Sequence, residues 1–165
     1  MQTSNQTLTR RKSLNQLMRY IVIALVILPR YITATTIETP IFSEEYFNEY
    51  YKALADYTVE NLQSELYEAI DDILSSGSHM SAVSQDYKTR HIETSLLNHL
   101  REQLCVTKPI DKDITILKRI SANSVASAGS DAQVKFNDDE LGILSGITVR
   151  LVEKMPQSQL CNEIK

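Results

Sequence analysis

Residues 43–75 read SEEYFNEYYKALADYTVENLQSELYEAIDDILS and form the longest stretch of the chain with one hydrophobic period. Mostly apolar side chains recur there at steps of three or four, which places them on one face of an α-helix. No glycine or proline interrupts the stretch, and Ser43 is a suitable N-cap. The pattern predicts one long helix that ends near Gly77. Its core face consists of Phe47, Tyr51, Leu54, Thr58, Leu62, Leu66, Ile70 and Ile73.

The predicted helix has two irregular features. A continuous helix over residues 43–75 would be about 50 Å long, which is well above the average for globular domains. A break near the β-branched pair Thr58–Val59 is therefore an alternative. Asp71 and Asp72 also fall in its last turn, where the helix dipole disfavours acidic groups. We expect solvent, or a Lys or Arg from another helix, to offset this repulsion.

The charges of the chain are divided unevenly between its N-terminus and the remainder. The first 37 residues contain five basic residues and no acidic one, whereas residues 38–165 contain 12 basic and 21 acidic residues, a net charge of −9. Such an acidic body repels phosphate backbones, so no nucleic-acid partner is expected. With 165 residues, the chain is long enough for one domain with a substantial core.

The N-terminus has the features of a targeting segment. A basic region is followed by ten uncharged, largely apolar residues at 20–29 and by small residues around Ala34, an order typical of a secretory signal peptide. We therefore predict a signal peptide over residues 1–34 and a single domain over residues 35–165. Ten apolar residues are too few for a membrane span, which needs about twenty. The acid-free leader also fits a mitochondrial presequence, which remains the alternative.

Two further helices are predicted in the middle of the chain. The second runs from Ser84 or Asp86 to about Val106, and the third covers residues 111–121. Residues 121–130 (SANSVASAGS) are predicted to be a linker of small residues. The core positions of these two helices are Ile92, Leu96, Leu100, Leu104, Ile114, Leu117 and Ile120.

The last third of the chain fits two structures. Leucine, isoleucine and methionine recur at helical spacing between Leu141 and Met155, but Gly142 and Gly146 each cost about 1 kcal/mol inside a helix. Alternating apolar residues also allow a β-hairpin over about 132–153. We predict a helix, and hence an all-α, four-helix-type bundle with one long N-terminal helix. The alternative is an α+β fold with that hairpin.

Cys105 and Cys161 are the only cysteines, and in an oxidising compartment they are expected to form a disulfide. The histidines are His79, His91 and His99. The last two share a helix face but lie two turns apart, so we predict solvated histidines and no metal site. No catalytic motif, phosphate loop or dinucleotide fingerprint is present in the sequence, and neither catalysis nor a cofactor is expected.

Tyr46, Tyr50 and Tyr57 are the candidate partner-binding residues. They fall at steps of four and seven beside the core stripe and are flanked by acidic residues. Tyrosine gives a large contact area at an interface for little loss of entropy. The alternative is that these side chains widen the buried face of the helix.

These features predict a small secreted helical protein that acts by binding a partner protein, as a signalling ligand, an effector or a carrier. A carrier could hold an apolar small molecule between its helices. The alternative function is that of a mitochondrial structural or assembly subunit, and only the basic leader supports it.

Overall fold

The computed structural model describes residues 41–77, 81–105 and 112–162, which form six α-helices and no strand. The predicted all-α class is confirmed, and the alternative β-hairpin is wrong because a helix covers most of residues 132–153. The predicted signal peptide lies outside the described residues. The helices are α1 (Glu44–Ala53), α2 (Val59–Gly77), α3 (Ala82–Leu104), α4 (Ile114–Asp131), α5 (Asp138–Lys154) and α6 (Gln157–Cys161).

Helices α2, α3, α4 and α5 form a four-helix bundle in which each helix packs against the next and α5 packs against α2. The polar contacts between α2 and α3 are those of antiparallel neighbours. Gln85 Nε2 donates to Ser75 Oγ over 2.6 Å, and Thr89 Oγ1 donates to Asp71 Oδ1 over 3.0 Å. The second contact also provides Asp71, an acid in the last turns of α2, with a hydrogen-bond donor from α3. That donor is a buried threonine rather than the lysine or arginine considered from the sequence.

The long N-terminal helix predicted from residues 43–75 is interrupted, so that part of the prediction is wrong. α1 ends at Ala53 and α2 begins at Val59, as the alternative break at Thr58–Val59 predicted. Thr58 and Asn61 explain the new start. The backbone N–H of Asn61 donates to Thr58 Oγ1, and the backbone N–H of Thr58 donates to Asn61 Oδ1. This reciprocal pair caps the first turn of α2.

Residues 121–130, predicted to be a linker, instead form the C-terminal half of α4. Small side chains serve here as packing residues, because they let neighbouring helices approach closely. Gly129 makes room for the connection between α4 and α5 instead, since a Cβ atom on it would lie 2.8 Å from the ring of Phe136 in that connection. The buried small residues of α4 are Ser121, Ala122, Ser124, Ala128 and Gly129.

Helix α5 is the most deeply buried element, and it contacts α1, α2 and α4. Asn137 caps it through a capping box with Glu140. α1 runs parallel to α5 along the two glycines that made the helix prediction uncertain. A Cβ atom on Gly142 would lie 2.6 Å from the carbonyl oxygen of Ser43, and one on Gly146 would lie 2.9 Å from that of Phe47. The glycines therefore let the backbones of α1 and α5 approach closely.

The predicted pairing of Cys105 with Cys161 is confirmed by the geometry, since the two residues form a disulfide with Cα atoms 5.7 Å apart. The bond joins the C-terminal end of α3 to α6. Leu160 of α6 is buried in the core, and its carbonyl oxygen accepts a hydrogen bond of 2.9 Å from Arg101 Nε. On the chain-entropy model, closing this loop contributes about 4 kcal/mol to stability.

We predict that Gly142→Ala destabilises the protein by about 1–2 kcal/mol. The new methyl group would overlap the Ser43 carbonyl oxygen, and overpacking of this kind costs about 1–3 kcal/mol. The higher helix propensity of alanine recovers at most about 1 kcal/mol. Urea unfolding measures the change. Gly77→Ala is the control, because no described residue outside its own helical turn lies within 4 Å of its Cβ position and stability should not fall. Equal losses in both variants would contradict the close α1–α5 contact.

Candidate functional site

Two of the three candidate tyrosines lie on α1, where it meets α5. The Cβ atoms of Tyr46 and Tyr50 lie beside Gly142 and Gly146. Tyr50 is half-buried against the core, whereas Tyr46 keeps 36% of its surface exposed. Tyr57 lies in the turn after α1 and is 39% exposed. The three residues therefore do not share one helical strip, because α1 ends before Tyr57, but Tyr46 and Tyr57 remain accessible to solvent.

Exposed acidic side chains accompany the two accessible tyrosines along the chain. They lie on α1, in the turn after it and in the first turn of α2. Aromatic side chains are enriched at protein interfaces, and carboxylates around them select the charge of a partner. We name this region the acidic tyrosine surface, and it consists of Glu45, Tyr46, Glu49, Asp56, Tyr57 and Glu60.

A network at the end of α1 fixes that helix to α5. The hydroxyl of Tyr51 donates to Glu153 Oε1 over 3.0 Å, and Arg150 Nη1 lies 3.1 Å from Glu153 Oε2. The Arg150 guanidinium carbon lies 3.7 Å from the centroid of the Tyr51 ring, as in a cation–π contact. Burial, followed by the hydrogen bond to Glu153, raises the pKa of Tyr51. These contacts hold α1 and its exposed face in a fixed position.

A second contact fixes the start of α1 to α4. Lys118 of α4 pairs with the carboxylate of Glu44, and its Nζ atom lies 4.2 Å from the centroid of the Phe47 ring. Phe42 packs on Phe47 with ring centroids 5.9 Å apart, as the hydrophobic staple before a helix requires. Both ends of α1 are thus anchored, which gives a rigid support to Glu45, Tyr46 and Glu49, the part of the acidic tyrosine surface that lies on this helix.

A separate surface groove lies between α2 and α3, with a volume of about 410 Å³. Tyr67 forms part of its wall, and the Tyr67 hydroxyl donates a short hydrogen bond to Asp86. Glu93 is half-buried in the groove, and loss of solvent raises the pKa of its carboxyl group. We name this feature the α2–α3 groove. Its lining residues are Glu60, Gln63, Ser64, Tyr67, Arg90 and Glu93.

The arginine at the groove is already paired. Arg90 Nε lies 3.2 Å and 3.1 Å from the two carboxylate oxygens of Asp86. Its guanidinium carbon lies 5.4 Å from the centroid of the Tyr67 ring. The hydrogen bond from Tyr67, and then that from Arg90, lowers the pKa of Asp86. Tyr67, Asp86 and Arg90 therefore form one connected unit on the α2–α3 face.

Ser95, His99 and Asp131 meet between α3 and α4. Ser95 Oγ donates to Asp131 Oδ2, and His99 Nε2 lies 2.9 Å from the same oxygen. In a serine-hydrolase triad the histidine lies between the serine and the aspartate. Here the carboxylate lies between the other two side chains, so the three residues form an inter-helix contact with a different connectivity.

The histidines predicted to be solvated differ in their exposure. His91 is exposed and stacks on Tyr87 with ring centroids 6.5 Å apart, whereas His99 is half-buried against Asp131. His79 lies outside the described residues. Within the described ranges, no three His, Cys, Asp or Glu side chains are placed to hold a metal ion. No helix in this part of the chain has both the length and the apolar character needed to cross a membrane.

Comparison of the chain with protein-family models, with curated proteins and with solved structures finds no match. The candidate sites therefore depend on the geometry of this chain alone. Sequence reasoning singled out the tyrosines but missed the α2–α3 groove. Glu93 and Glu60 are separated by 33 positions, and nothing in the local pattern of either residue indicates that they line the same groove.

We predict that Asp131→Asn weakens the dependence of stability on acidic pH. The hydrogen bond from Ser95, and then that from His99, lowers the pKa of Asp131 in the folded protein. A carboxyl group whose pKa is lower in the folded than in the unfolded protein adds to the free energy of unfolding at pH values above its unfolded-state pKa. That contribution is lost as the pH falls through the folded-state pKa. Urea unfolding between pH 6 and about pH 3 should therefore show a shallower decline for the variant than for the original chain.

Ser95→Ala is the matched variant for this test. It keeps the Asp131 carboxylate but removes the donor that lowers its pKa most. The decline in stability should again be shallower, although less so than for Asp131→Asn. Curves for both variants that run parallel to the original curve would contradict the role of this contact.

Proposed function

We propose that the chain is an exported, disulfide-linked helical protein that acts by binding another protein through its acidic tyrosine surface. The observation that carries the proposal is the exposure of Tyr46 and Tyr57 among carboxylates, on or beside a helix anchored at both ends. A rigid surface loses little entropy on binding, and tyrosines provide the contact area.

The compartment is inferred from two features. Residues 1–34 have the basic region and short apolar core of a secretory leader. The Cys105–Cys161 disulfide is a bond that persists in oxidising environments. Export brings these features together, since the leader would take the chain to a compartment in which the disulfide is stable.

We predict that the exported protein lacks about the first 34 residues and contains no free thiol. N-terminal sequencing of protein from the culture medium of the source organism measures the first property. Non-reducing peptide mapping measures the second. An intact N-terminus on protein that remains with membranes after an alkaline wash would contradict the export proposal. Recovery of the processed protein from mitochondria would favour the alternative of a mitochondrial subunit.

The partner site is tested by photo-cross-linking. We predict that benzoylphenylalanine placed at position 57 cross-links one partner protein, because that side chain lies on the acidic tyrosine surface. The control is the same amino acid at position 87, where Tyr87 is 74% exposed on α3 but lies outside this surface. Adding Glu49→Lys to the position 57 variant should abolish the product through charge reversal. Identical products from both positions would contradict the proposed surface.

A further inference from the structure

Helix α6 is attached to the bundle near its C-terminal end. Leu160 is its buried side chain, and the Leu160 carbonyl oxygen accepts the hydrogen bond from Arg101 Nε. The disulfide between Cys161 and Cys105 adds a covalent tether to α3. Among the described residues, the extensive contacts between helices all involve α1 to α5, and α6 takes part in none of them. The position of α6 therefore depends mainly on one leucine, one hydrogen bond and one covalent bond.

A helix as short as α6 is not stable by itself. Isolated helices shorter than about 12 residues are marginal in water, and α6 has five residues. Fixing the backbone of five residues costs about as much free energy as the burial of three leucine side chains returns, and α6 buries one. The hydrogen bond from Arg101 offsets only part of the difference. Without the disulfide, we therefore expect α6 to leave the bundle.

The disulfide has two properties of a bond that can be reduced in the folded protein. Cys105 and Cys161 both keep part of their surface exposed, and access is a condition for thiol–disulfide exchange. A folded protein also stabilises a disulfide by holding the two thiols at a high effective concentration. The weak attachment of α6 keeps that concentration low once the bond is broken.

We propose that the Cys105–Cys161 disulfide is a redox-controlled latch, and that a dithiol reductant opens it and releases α6. One thiolate of the reductant bonds to one cysteine sulfur, the S–S bond breaks, and the other cysteine leaves as a thiolate that takes up a proton. The second thiol of the reductant then displaces the first cysteine. Two electrons and two protons pass to the cysteines, and the reductant becomes a disulfide.

Opening of the latch changes the surface of the protein without dismantling the bundle. Leu160 becomes exposed, together with the part of the core that it covers, whereas α2 to α5 keep their contacts with one another. The anchors of α1 lie on α4 and α5, so the acidic tyrosine surface remains in place. An exported protein with this latch has one surface in an oxidising compartment and another in a reducing one.

NMR of the full mature protein before and after addition of dithiothreitol tests the latch. The backbone N–H groups of Leu160 and Asn162 donate to the carbonyl oxygens of Pro156 and Ser158, so they are protected from exchange while α6 is formed. Reduction should accelerate their hydrogen exchange by at least about tenfold. The Cα chemical shifts of α6 should move to the values of a disordered chain, whereas those of α2, α4 and α5 should remain helical.

The double variant Cys105→Ser, Cys161→Ser is the control for direct effects of the reductant. It should show a released α6 both with and without dithiothreitol. In glutathione buffers of increasing reducing strength, the released fraction of the original protein should equal the fraction of free thiols measured by trapping. Equality is expected because opening of the bond and release of α6 are one event.

Three results would overturn the inference. Unchanged signals of α6 after reduction would mean that the other contacts alone hold this helix. Loss of the helical signals of α2, α4 and α5 would mean that the disulfide supports the whole fold. A disulfide that dithiothreitol reduces only after the protein is unfolded would exclude a latch. The cross-link at position 57 tests a different surface, so its failure would count against the proposed function alone.

Discussion

The close packing of α5 against its neighbours is the constraint on which the rest of the described structure depends. Gly142 and Gly146 bring the backbone of α1 so near that a single methyl group would overlap a carbonyl oxygen. On its other sides, α5 packs against α2 and α4. The cost of two glycines within a helix, about 1 kcal/mol each, is offset by the contacts that close approach allows.

Polar contacts between helices complement this apolar core, and several of them involve carboxylates. Asp71 accepts a hydrogen bond from Thr89, Asp131 accepts from Ser95, and Glu153 accepts from Tyr51. Each acceptor lies on a different helix from its donor. These pairs fix the registers of α2 with α3, α3 with α4, and α1 with α5. Hydrogen bonds require specific geometry, whereas hydrophobic burial does not discriminate between neighbouring registers.

The same contacts divide the acidic residues into two groups. Some, such as Glu44 with Lys118 and Asp86 with Arg90, have cationic partners within the protein. Others, including Glu49 and Glu60, are exposed to solvent on α1 and at the start of α2. Glu49 and Glu60 of this second group lie on the acidic tyrosine surface. Residues 38–165 have a net charge of −9, and part of this negative charge lies on the surface that is proposed to bind a partner.

The amino-acid sequence by itself favoured the helical class and indicated most of the core positions and the pairing of the cysteines. Thr58 and Ile114, which were also predicted to be core residues, are exposed. Helical periodicity is a local property, so Leu62, Leu66 and Ile92 could be assigned to the core from their spacing, and all three are buried. Asn137 and Asp138 were both possible caps for α5 from the sequence, and the structure has Asn137 as the N-cap.

Only the tertiary structure decided the features that depend on distant residues. The small residues at 121–130 look like a linker until their neighbours are known, because a small side chain contributes to a helix interface only when another helix lies against it. The α2–α3 groove could not be predicted from the sequence either, because Glu60 and Glu93 line it from two separate helices. Hydrophobic spacing shows which face of a helix is buried, but the identity of the neighbouring helix depends on how the whole chain packs.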